Sequence, residues 1–220
     1  MGDPTEAEAW DAGAATWVDL VRDGTTHPHD ASIRALLPPP EGLAVDAGCG
    51  EGRLTRLLFG LGYDAVGFDR SAELVRAASE ADPQGRYAVA PIDDLPLQDG
   101  EARLVVCVNV LMHVVELEPA LRELARVLAP SGCAVIGLLH PVAIAGTYDE
   151  ERDELRVRGY FDPVAHEVTL GSHHVAHQHR TLEQYVSAFL SAGFSLEALH
   201  EVPGRSGSVP RYLDLQLRRH

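Results

Sequence analysis

The sequence predicts an α/β fold built on a mostly parallel sheet, and three observations carry this prediction. Short apolar runs alternate with longer segments of helical period along the chain. The run at 104–108 is apolar throughout, as expected for a strand that is buried on both faces. The chain has 220 residues, of which 45% are hydrophobic, enough to bury a substantial core. We therefore expect a seven-stranded sheet with helices on both faces and a terminal antiparallel strand pair.

The elements of the first half follow from this alternation. An N-terminal helical cap at 1–37 carries Trp10 and Trp17, which lie seven residues apart on one helical face, where they either close over a ligand or pack in the core. After the prolines at 38–40, strands are predicted at 42–46, 64–68 and 87–90, separated by helices at 53–60 and 71–81.

The second half continues the pattern after one interruption. Strands are predicted at 104–108 and 133–139, with a helix opened by Pro119 between them. Residues 140–180 are polar, acidic and rich in histidine, and we interpret them as a lid or insertion. A helix at 181–192 and strands near 194–202 and 212–217 complete the domain. We predict one domain over residues 1–220.

The charge and the cysteines limit the function classes. The 18 Lys and Arg residues against 33 Asp and Glu residues give a formal net charge of −15, which repels phosphate backbones. We therefore expect neither a nucleic acid nor an anionic membrane as partner. No apolar run reaches the roughly 18 residues of a membrane span, and the first residues are acidic, so we predict a cytoplasmic protein. Its three cysteines lack CxxC spacing and are interpreted as reduced and buried.

A glycine-rich loop follows the first predicted strand directly and precedes a helix. Residues 46–52 read DAGCGEG, and glycines at alternate positions let a ligand lie against bare main chain. The spacing is G-x-G-x-G, which differs from the dinucleotide fingerprint G-x-G-x-x-G, and no G-K-[S/T] of a phosphate-binding P-loop is present. In a parallel sheet this first turn is where a nucleotide-like ligand binds.

A carboxylate stands at the end of the second predicted strand. Asp69 follows Val66-Gly67-Phe68, 17 residues after Gly52. A carboxylate at this position accepts hydrogen bonds from the two vicinal hydroxyls of a ribose. Together, the loop and Asp69 predict a nucleoside-binding site.

These motifs resemble those of the class I S-adenosylmethionine-dependent methyltransferases. The resemblance extends over most of the chain and includes 105–113, reading VVCVNVLMH, and 121–132, reading LRELARVLAPSG. Leu95-Pro96 is also present, although Pro91-Ile92 stands where the family often has Asp-Ala. The resemblance implies a Rossmann-like fold and S-adenosyl-L-methionine as cofactor. It implies a cofactor site formed by Asp46, Gly48, Gly50, Asp69, Arg70, Ile92, Asp93 and Asn109, with Ile92 packing on adenine and Asp93 recognising it.

Two histidines are candidates for accepting a proton from a methyl acceptor. His113 and His140 follow the fourth and fifth predicted strands, at the edge of the sheet where ligands bind. A histidine of near-neutral pKa suits this role. Packing beside the cofactor is the alternative for His113.

The predicted lid contains further histidines and one tyrosine. The resemblance suggests that Tyr160, His177 and His179 face the substrate. His173, His177 and His179 share one side of an extended strand, but no carboxylate pattern accompanies them, so we predict no metal site.

The sequence therefore predicts a methyltransferase that acts on an oxygen or nitrogen of a small molecule. Methylation of RNA or protein and a protein that binds S-adenosylmethionine without turnover remain alternatives. The sequence predicts neither the acceptor nor the oligomeric state.

Overall fold

The computed structural model describes residues 6–23, 29–149, 151–152, 154–162, 165–170, 173–204 and 207–220. The first half contains α1 (Glu6–Arg22), α2 (Asp30–Leu36), β1 (Leu43–Ala47), α3 (Arg53–Gly60), β2 (Asp64–Asp69), α4 (Ala72–Ala81), β3 (Tyr87–Val89) and β4 (Ala102–Val108). After a 3-10 turn at Leu111–His113 come α5 (Leu117–Val127), β5 (Leu128–Leu139), α6 (Pro141–Ile144), β6 (Gly146–Asp149), β7 (Glu154–Val157), β8 (Ala165–Leu170), β9 (His173–Gln178), α7 (Leu182–Ser191), β10 (Phe194–Pro203) and β11 (Pro210–Arg219).

The central sheet has seven strands in the order β10-β11-β5-β4-β1-β2-β3. The five strands from β5 to β3 are parallel, and β11 is antiparallel to both of its neighbours. The predicted fold class is therefore confirmed, including the terminal antiparallel pair. Because β1, β2, β3 and β4 are parallel, their carboxyl ends lie at the same edge of the sheet. The residues at this edge form the candidate site described below.

Helices cover both faces of the sheet because the central strands are apolar on both sides. On one face, α5 and α7 bury a cluster that includes Tyr185 and Phe189. On the other face, α2 and α3 bury Ile33 and Leu58 against the sheet. The interior thus forms two layers of side chains, one on each face.

Residues 140–179 contain more regular structure than their sequence suggested. They form α6 and two antiparallel hairpins, β6–β7 and β8–β9. No residue of β6 or β7 is fully buried, so these strands need no alternation of apolar and polar residues. That absence explains why the sequence pattern did not reveal them.

Smaller differences have local causes. Helix α5 begins at Leu117, two residues before Pro119, because proline is tolerated in the first turn, where its missing N–H has no partner to lose.

All three cysteines are buried and reduced, as predicted. Within the described ranges, the helices are too short or too polar to cross a bilayer.

Candidate active site

A cleft of about 590 Å³, counting its open mouth, lies at the carboxyl edge of the parallel strands. Helix α1 forms its roof, and the ends of β1 to β4 form its floor. It is lined by Trp10, Trp17, Gly48, Asp69, Arg70, Leu74, Ala90, Ile92, Val108, Asn109, Val110, His113 and Val114. Six of the residues predicted for the site therefore lie together: Gly48, Asp69, Arg70, Ile92, Asn109 and His113.

The glycine loop gives the cleft a floor of bare main chain. Gly48 has a φ of +82°, and a Cβ there would stand 2.2 Å from Cγ2 of Val110. Gly50 does not line the cleft, but a Cβ on it would lie 3.3 Å from the indole Nε1 of Trp17. The loop and the roof are thus in close approach, and only glycine fits at position 48 without displacement of its neighbours.

The carboxylate of Asp69 fastens this loop. The Gly50 N–H donates to Oδ2 at 2.8 Å, and the Ser71 N–H donates to Oδ1 at 2.9 Å. Burial raises the pKa of Asp69, while these backbone hydrogen bonds act in the opposite direction. Each carboxylate oxygen can accept a further hydrogen bond from a ligand.

Asn109 lies at the end of β4 in an unusual conformation. Its φ is +59°, a value that non-glycine residues rarely adopt. Its Oδ1 is buried and has no hydrogen-bond partner among the described residues. A buried acceptor without a partner costs free energy, so this oxygen is suited to receive a donor from a ligand.

Two tryptophans form the roof. The rings of Trp10 and Trp17 meet edge to face with centroids 5.7 Å apart, and Trp10 contacts the ring of His113 at 5.0 Å. Their seven-residue spacing on α1 was the signal in the sequence for this shared face. Rings that line a cleft in this way can attract a cation that binds over their faces.

His113 is fixed at the margin of the cleft in one tautomer. Its Nδ1 lies 3.2 Å from the carbonyl oxygen of Ala176, which can only accept, so Nδ1 carries the proton and Nε2 the lone pair. The ring of His177 lies 4.6 Å away. Burial, reinforced by His177, lowers the pKa of His113 to about 3. His113 is therefore neutral near pH 7.

His140 lies apart from the cleft, contrary to the expectation from its strand-end position. Its Nδ1 accepts a hydrogen bond from the Val142 N–H at 3.2 Å and caps α6. Its Nε2 faces Oε1 of Glu201 at 3.1 Å. Burial lowers the pKa of His140, and Glu201 acts in the opposite direction. These contacts assign His140 to the start of α6, and we do not retain it as a candidate base.

Two acids expected at the cofactor also lie outside the cleft. Asp46 is 1% exposed, and its Oδ2 accepts a hydrogen bond from the Thr55 hydroxyl at 2.7 Å. It therefore links β1 to α3 from within the protein. Asp93 is exposed, in the turn after Ile92, and is not among the described lining residues.

Arg70 reaches the cleft beside Asp69 and forms an ion pair with Glu6 of α1. This pair ties the first turn of the roof to the end of β2. The guanidinium of Arg70 is therefore already paired with a carboxylate. We assign its charge to holding α1 in place and not to binding a ligand.

The remaining predicted substrate residues lie beyond the lining of the cleft. The Nε2 of His179 lies 2.7 Å from the carbonyl oxygen of Tyr160, and the Leu182 N–H donates to the Tyr160 hydroxyl at 3.0 Å. His177 is buried, and its ring contacts that of His113, which lines the cleft. The side chain of His173 lies outside the described residues, and the part of the chain that is described holds no cluster of three metal-ligating side chains.

Sequence reasoning missed five of the apolar lining residues. They are Leu74, Ala90, Val108, Val110 and Val114. They are ordinary core-type residues in the sequence, and only their position at strand ends and on α4 distinguishes them. No pattern in the sequence could separate them from residues of the core.

A second cleft of about 410 Å³ adjoins the first. The two share Trp17, Gly48, Val108 and Asn109. The second extends toward the start of α3, where it is lined further by Val21, Cys49, Glu51, Arg53 and Leu54.

Comparison with known sequences finds methyltransferases. Residues 45–136 match a family described as methyltransferase domain. Ubiquinone biosynthesis O-methyltransferase of Xanthomonas campestris is 30% identical over 155 residues, 64% of each chain, so the match spans under two thirds of that relative's length. Malonyl-[acyl-carrier protein] O-methyltransferase of Pectobacterium atrosepticum is 34% identical over 108 residues, 49% of this chain and 43% of the relative.

Solved structures share the fold. An S-adenosylmethionine-dependent methyltransferase from Mesorhizobium loti superposes with a TM-score of 0.77 at 24% identity, covering 89% of this chain and 99% of that one. A putative enzyme of the same description from Listeria monocytogenes gives 0.78 at 19% identity, covering 89% and 98%. The chain therefore contains a match to a methyltransferase domain at residues 45–136 and shares the fold of S-adenosylmethionine-dependent methyltransferases.

Proposed function

We propose that this protein transfers a methyl group from S-adenosylmethionine to an oxygen or nitrogen atom of a small molecule. The observation that carries the proposal is the cleft, in which the Gly48 main chain, the Asp69 carboxylate and the unpartnered Asn109 Oδ1 lie under two tryptophan rings. Such a site has the components needed for a nucleoside joined to a cationic amino acid.

The donor set of the cleft fits the cofactor. Asn109 Oδ1 would accept a hydrogen bond from the ammonium of the methionine moiety, which satisfies its missing partner. Asp69 would accept hydrogen bonds from ribose hydroxyls, with Gly50 and Ser71 holding its orientation. Ile92, buried beside the cleft, would pack on adenine. Trp10 and Trp17 would face the cationic end.

Bound S-adenosylmethionine supplies a methyl group on a cationic sulfur, and the chain's own residues align and shield the reaction. The apolar walls exclude water, which protects the methyl group from hydrolysis and strengthens the contacts of Asn109 and Asp69. The Nε2 of His113 can accept a hydrogen bond from an O–H or N–H of the acceptor and orient its lone pair. Because the pKa of His113 is about 3, this histidine does not keep the proton, which passes to solvent.

A small acceptor is supported by charge and by the relatives. The net charge of −15 disfavours an approach to RNA. Two relatives are named as O-methyltransferases, one of ubiquinone biosynthesis and one of malonyl-[acyl-carrier protein]. These relatives support oxygen as the first atom to test, and phenols and carboxylic acids as the first compounds.

The experiment is a screen of phenols, carboxylic acids and amines with the purified protein, with release of S-adenosylhomocysteine as the readout. We expect turnover with at least one class, and loss of turnover in Gly48→Val, where the added side chain collides with Val110. Cofactor binding without turnover across the screen would favour the binding-protein alternative. Turnover with RNA or a protein and none with small molecules would contradict the proposal.

A further inference from the structure

A buried polar pair joins two distant parts of the chain. His29, directly before α2, places its Nδ1 2.6 Å from Oδ1 of Asp214 on β11, across 185 residues of sequence. The side chains of His29 and Asp214 are 1% and 0% exposed. The ring of Tyr212 packs against His29 at 4.3 Å. Neither His29 nor Asp214 has a role in the methyl transfer proposed above.

The pair is incompletely satisfied. The Nε2 of His29 and the Oδ2 of Asp214 are buried and have no hydrogen-bond partner in the described part of the chain. Buried polar pairs of this kind add little to stability compared with apolar residues of similar volume. Fixing one arrangement of the chain is the other role that buried polar pairs have in some proteins.

The pair lies directly behind the wall of the cleft. Asp214 is opposite Gly137 of β5 in the sheet. A Cβ on Gly137 would stand 3.1 Å from Oδ1 of Asp214 and 3.0 Å from Cγ1 of Val108. Val108 lines both clefts, and the N–H of the next residue, Asn109, donates to the Gly137 carbonyl oxygen at 2.8 Å.

The pair also completes the attachment of the roof. The first half of α1 is fastened to α4, because Asp11 accepts a hydrogen bond from the Ser71 hydroxyl at 2.6 Å. The other helix of the N-terminal cap, α2, is fastened to β11 by His29. Both carboxylate oxygens of the next residue, Asp30, accept hydrogen bonds from Nη1 of Arg53, at 2.7 and 2.9 Å. Each of the two helices of the cap is thus fastened to the sheet domain by a side chain, and Arg53, which holds Asp30, lines the second cleft.

We propose that His29 and Asp214 are a positioning pair that holds the N-terminal cap in the one arrangement in which Trp10 and Trp17 roof the cleft. The inference rests on the proposed function only in taking this cleft as the site that binds S-adenosylmethionine. The pair acts through the roof and does not touch the cofactor.

The test compares two replacements of His29 that differ in where they place an amide. Asparagine places its amide nitrogen near the position of the histidine Nδ1, and glutamine places it near that of Nε2. His29→Asn therefore keeps the donor to Asp214, and His29→Gln removes it. Ser32→Ala is the matched control, because Ser32 also joins α2 to the sheet, through an exposed contact of 3.3 Å with His200.

The readouts are the dissociation constant for S-adenosylhomocysteine, the thermal midpoint and the tryptophan emission of the unliganded protein. The chain has two tryptophans, both in the roof, so emission reports the roof directly. We expect His29→Gln to bind at least tenfold more weakly with red-shifted emission. We expect His29→Asn and Ser32→Ala to stay within about threefold of the wild type, a difference below one hydrogen bond.

A double variant, His29→Leu with Asp214→Leu, leaves no unpaired buried charge and keeps the test decisive if His29→Gln does not fold. We expect it to retain the wild-type thermal midpoint and to bind S-adenosylhomocysteine at least tenfold more weakly. Wild-type affinity and emission in this variant, or in a folded His29→Gln, would overturn the positioning role. If the wild type itself does not bind S-adenosylhomocysteine, the proposed function fails, and the emission comparison still tests the pair.

Discussion

Neighbouring strand ends of this sheet carry residues of the same type, but these residues make different contacts. Asp46 and Asp69 lie at the ends of adjacent parallel strands, and burial raises the pKa of both carboxylates. Asp69 accepts two backbone N–H groups and lines the cleft, whereas Asp46 accepts the Thr55 hydroxyl and does not. The two acids therefore divide into one that shapes a binding surface and one that joins a strand to a helix.

The histidines after β4 and β5 repeat the contrast. His113 lines the cleft with a free lone pair on Nε2, whereas His140 caps α6. Residue type and strand-end position are the same in each pair. The difference lies in the path of the chain after the strand, because that path decides whether the side chain faces the ligand or the next helix.

The largest effect is expected on the cleft side, at Gly48. Gly48→Ala should lose about 3 kcal/mol of folding free energy or more, because strain from a positive φ adds to a collision with Val110. Affinity for S-adenosylhomocysteine should fall with it. Gly193→Ala is the control, since it shares a positive φ but has open space, and should lose only about 1 kcal/mol. Equal losses in thermal unfolding would show that the loop is not tightly packed.

The next effect concerns the interior acid. Burial raises the pKa of Asp46 from 3.8 to about 6, so the folded state holds its proton longer than the unfolded state. Its contribution to stability is full below pH 3.8 and is lost as pH rises to 6, a fall of up to about 3 kcal/mol. The Asp46→Asn variant has no carboxyl group at this position, so its free energy of unfolding does not fall in this way as the pH rises.

The thermal midpoint of Asp46→Asn, relative to the wild type, should therefore increase by several degrees between pH 4 and pH 7. The comparison at each pH cancels the contributions of all other titrating groups. A flat or falling difference would mean that Asp46 ionises as readily in the folded chain as in the unfolded one.

Asp69 provides the direct contrast with Asp46. Asp69→Asn should weaken binding of S-adenosylhomocysteine by about 1–3 kcal/mol, the scale of hydrogen bonds to a charged group. Asp46→Asn should leave this affinity within a factor of about three, because Asp46 does not line the cleft. Calorimetric titration at pH 7.5 measures both. Comparable losses in the two variants would remove the distinction between the two strand ends.

The smallest effect is expected at the two histidines. His113→Asn keeps a donor near Nδ1 for the Ala176 carbonyl oxygen and removes the Nε2 acceptor. We expect kcat to fall about tenfold, the value of one orienting hydrogen bond. His140→Asn keeps the cap of α6 and should leave kcat unchanged.

Neither variant should alter the acidic limb of the pH–rate profile above pH 5, because the pKa of His113 is already about 3. A wild-type limb near pH 6 that disappears in His113→Asn would show that His113 does accept the proton.

The regular part of the fold was predictable because its signals are local. The apolar β4, the glycines before α3 and the capping residue Ser71 each specify an element within a few positions. The hairpin β6–β7 was not predictable, since its strands lack a buried face and so need no alternation of apolar and polar residues.

The candidate site was predictable where a loop, a strand end or a family motif marks a residue. Gly48 was predicted from its loop, Asp69 and His113 from their strand ends, and Arg70, Ile92 and Asn109 from the resemblance, and all six line the cleft. The place of His140 depended on α6, and that of Asp214 on a partner 185 residues away. Long-range pairing of this kind leaves no periodic trace in the sequence.

The sheet is completed out of chain order. Among the described strands, β10 pairs with β11 alone, and β11 follows later in the chain and inserts between β10 and β5. During synthesis β10 therefore has no place in the sheet until β11 has emerged and paired with β5. The leucines of β11 at positions 213, 215 and 217 complete the core around Tyr185 and Phe189, so that core stays open until this last pairing. The pairing of β11 with β5 thus completes the core and brings Asp214 next to His29 in the same step.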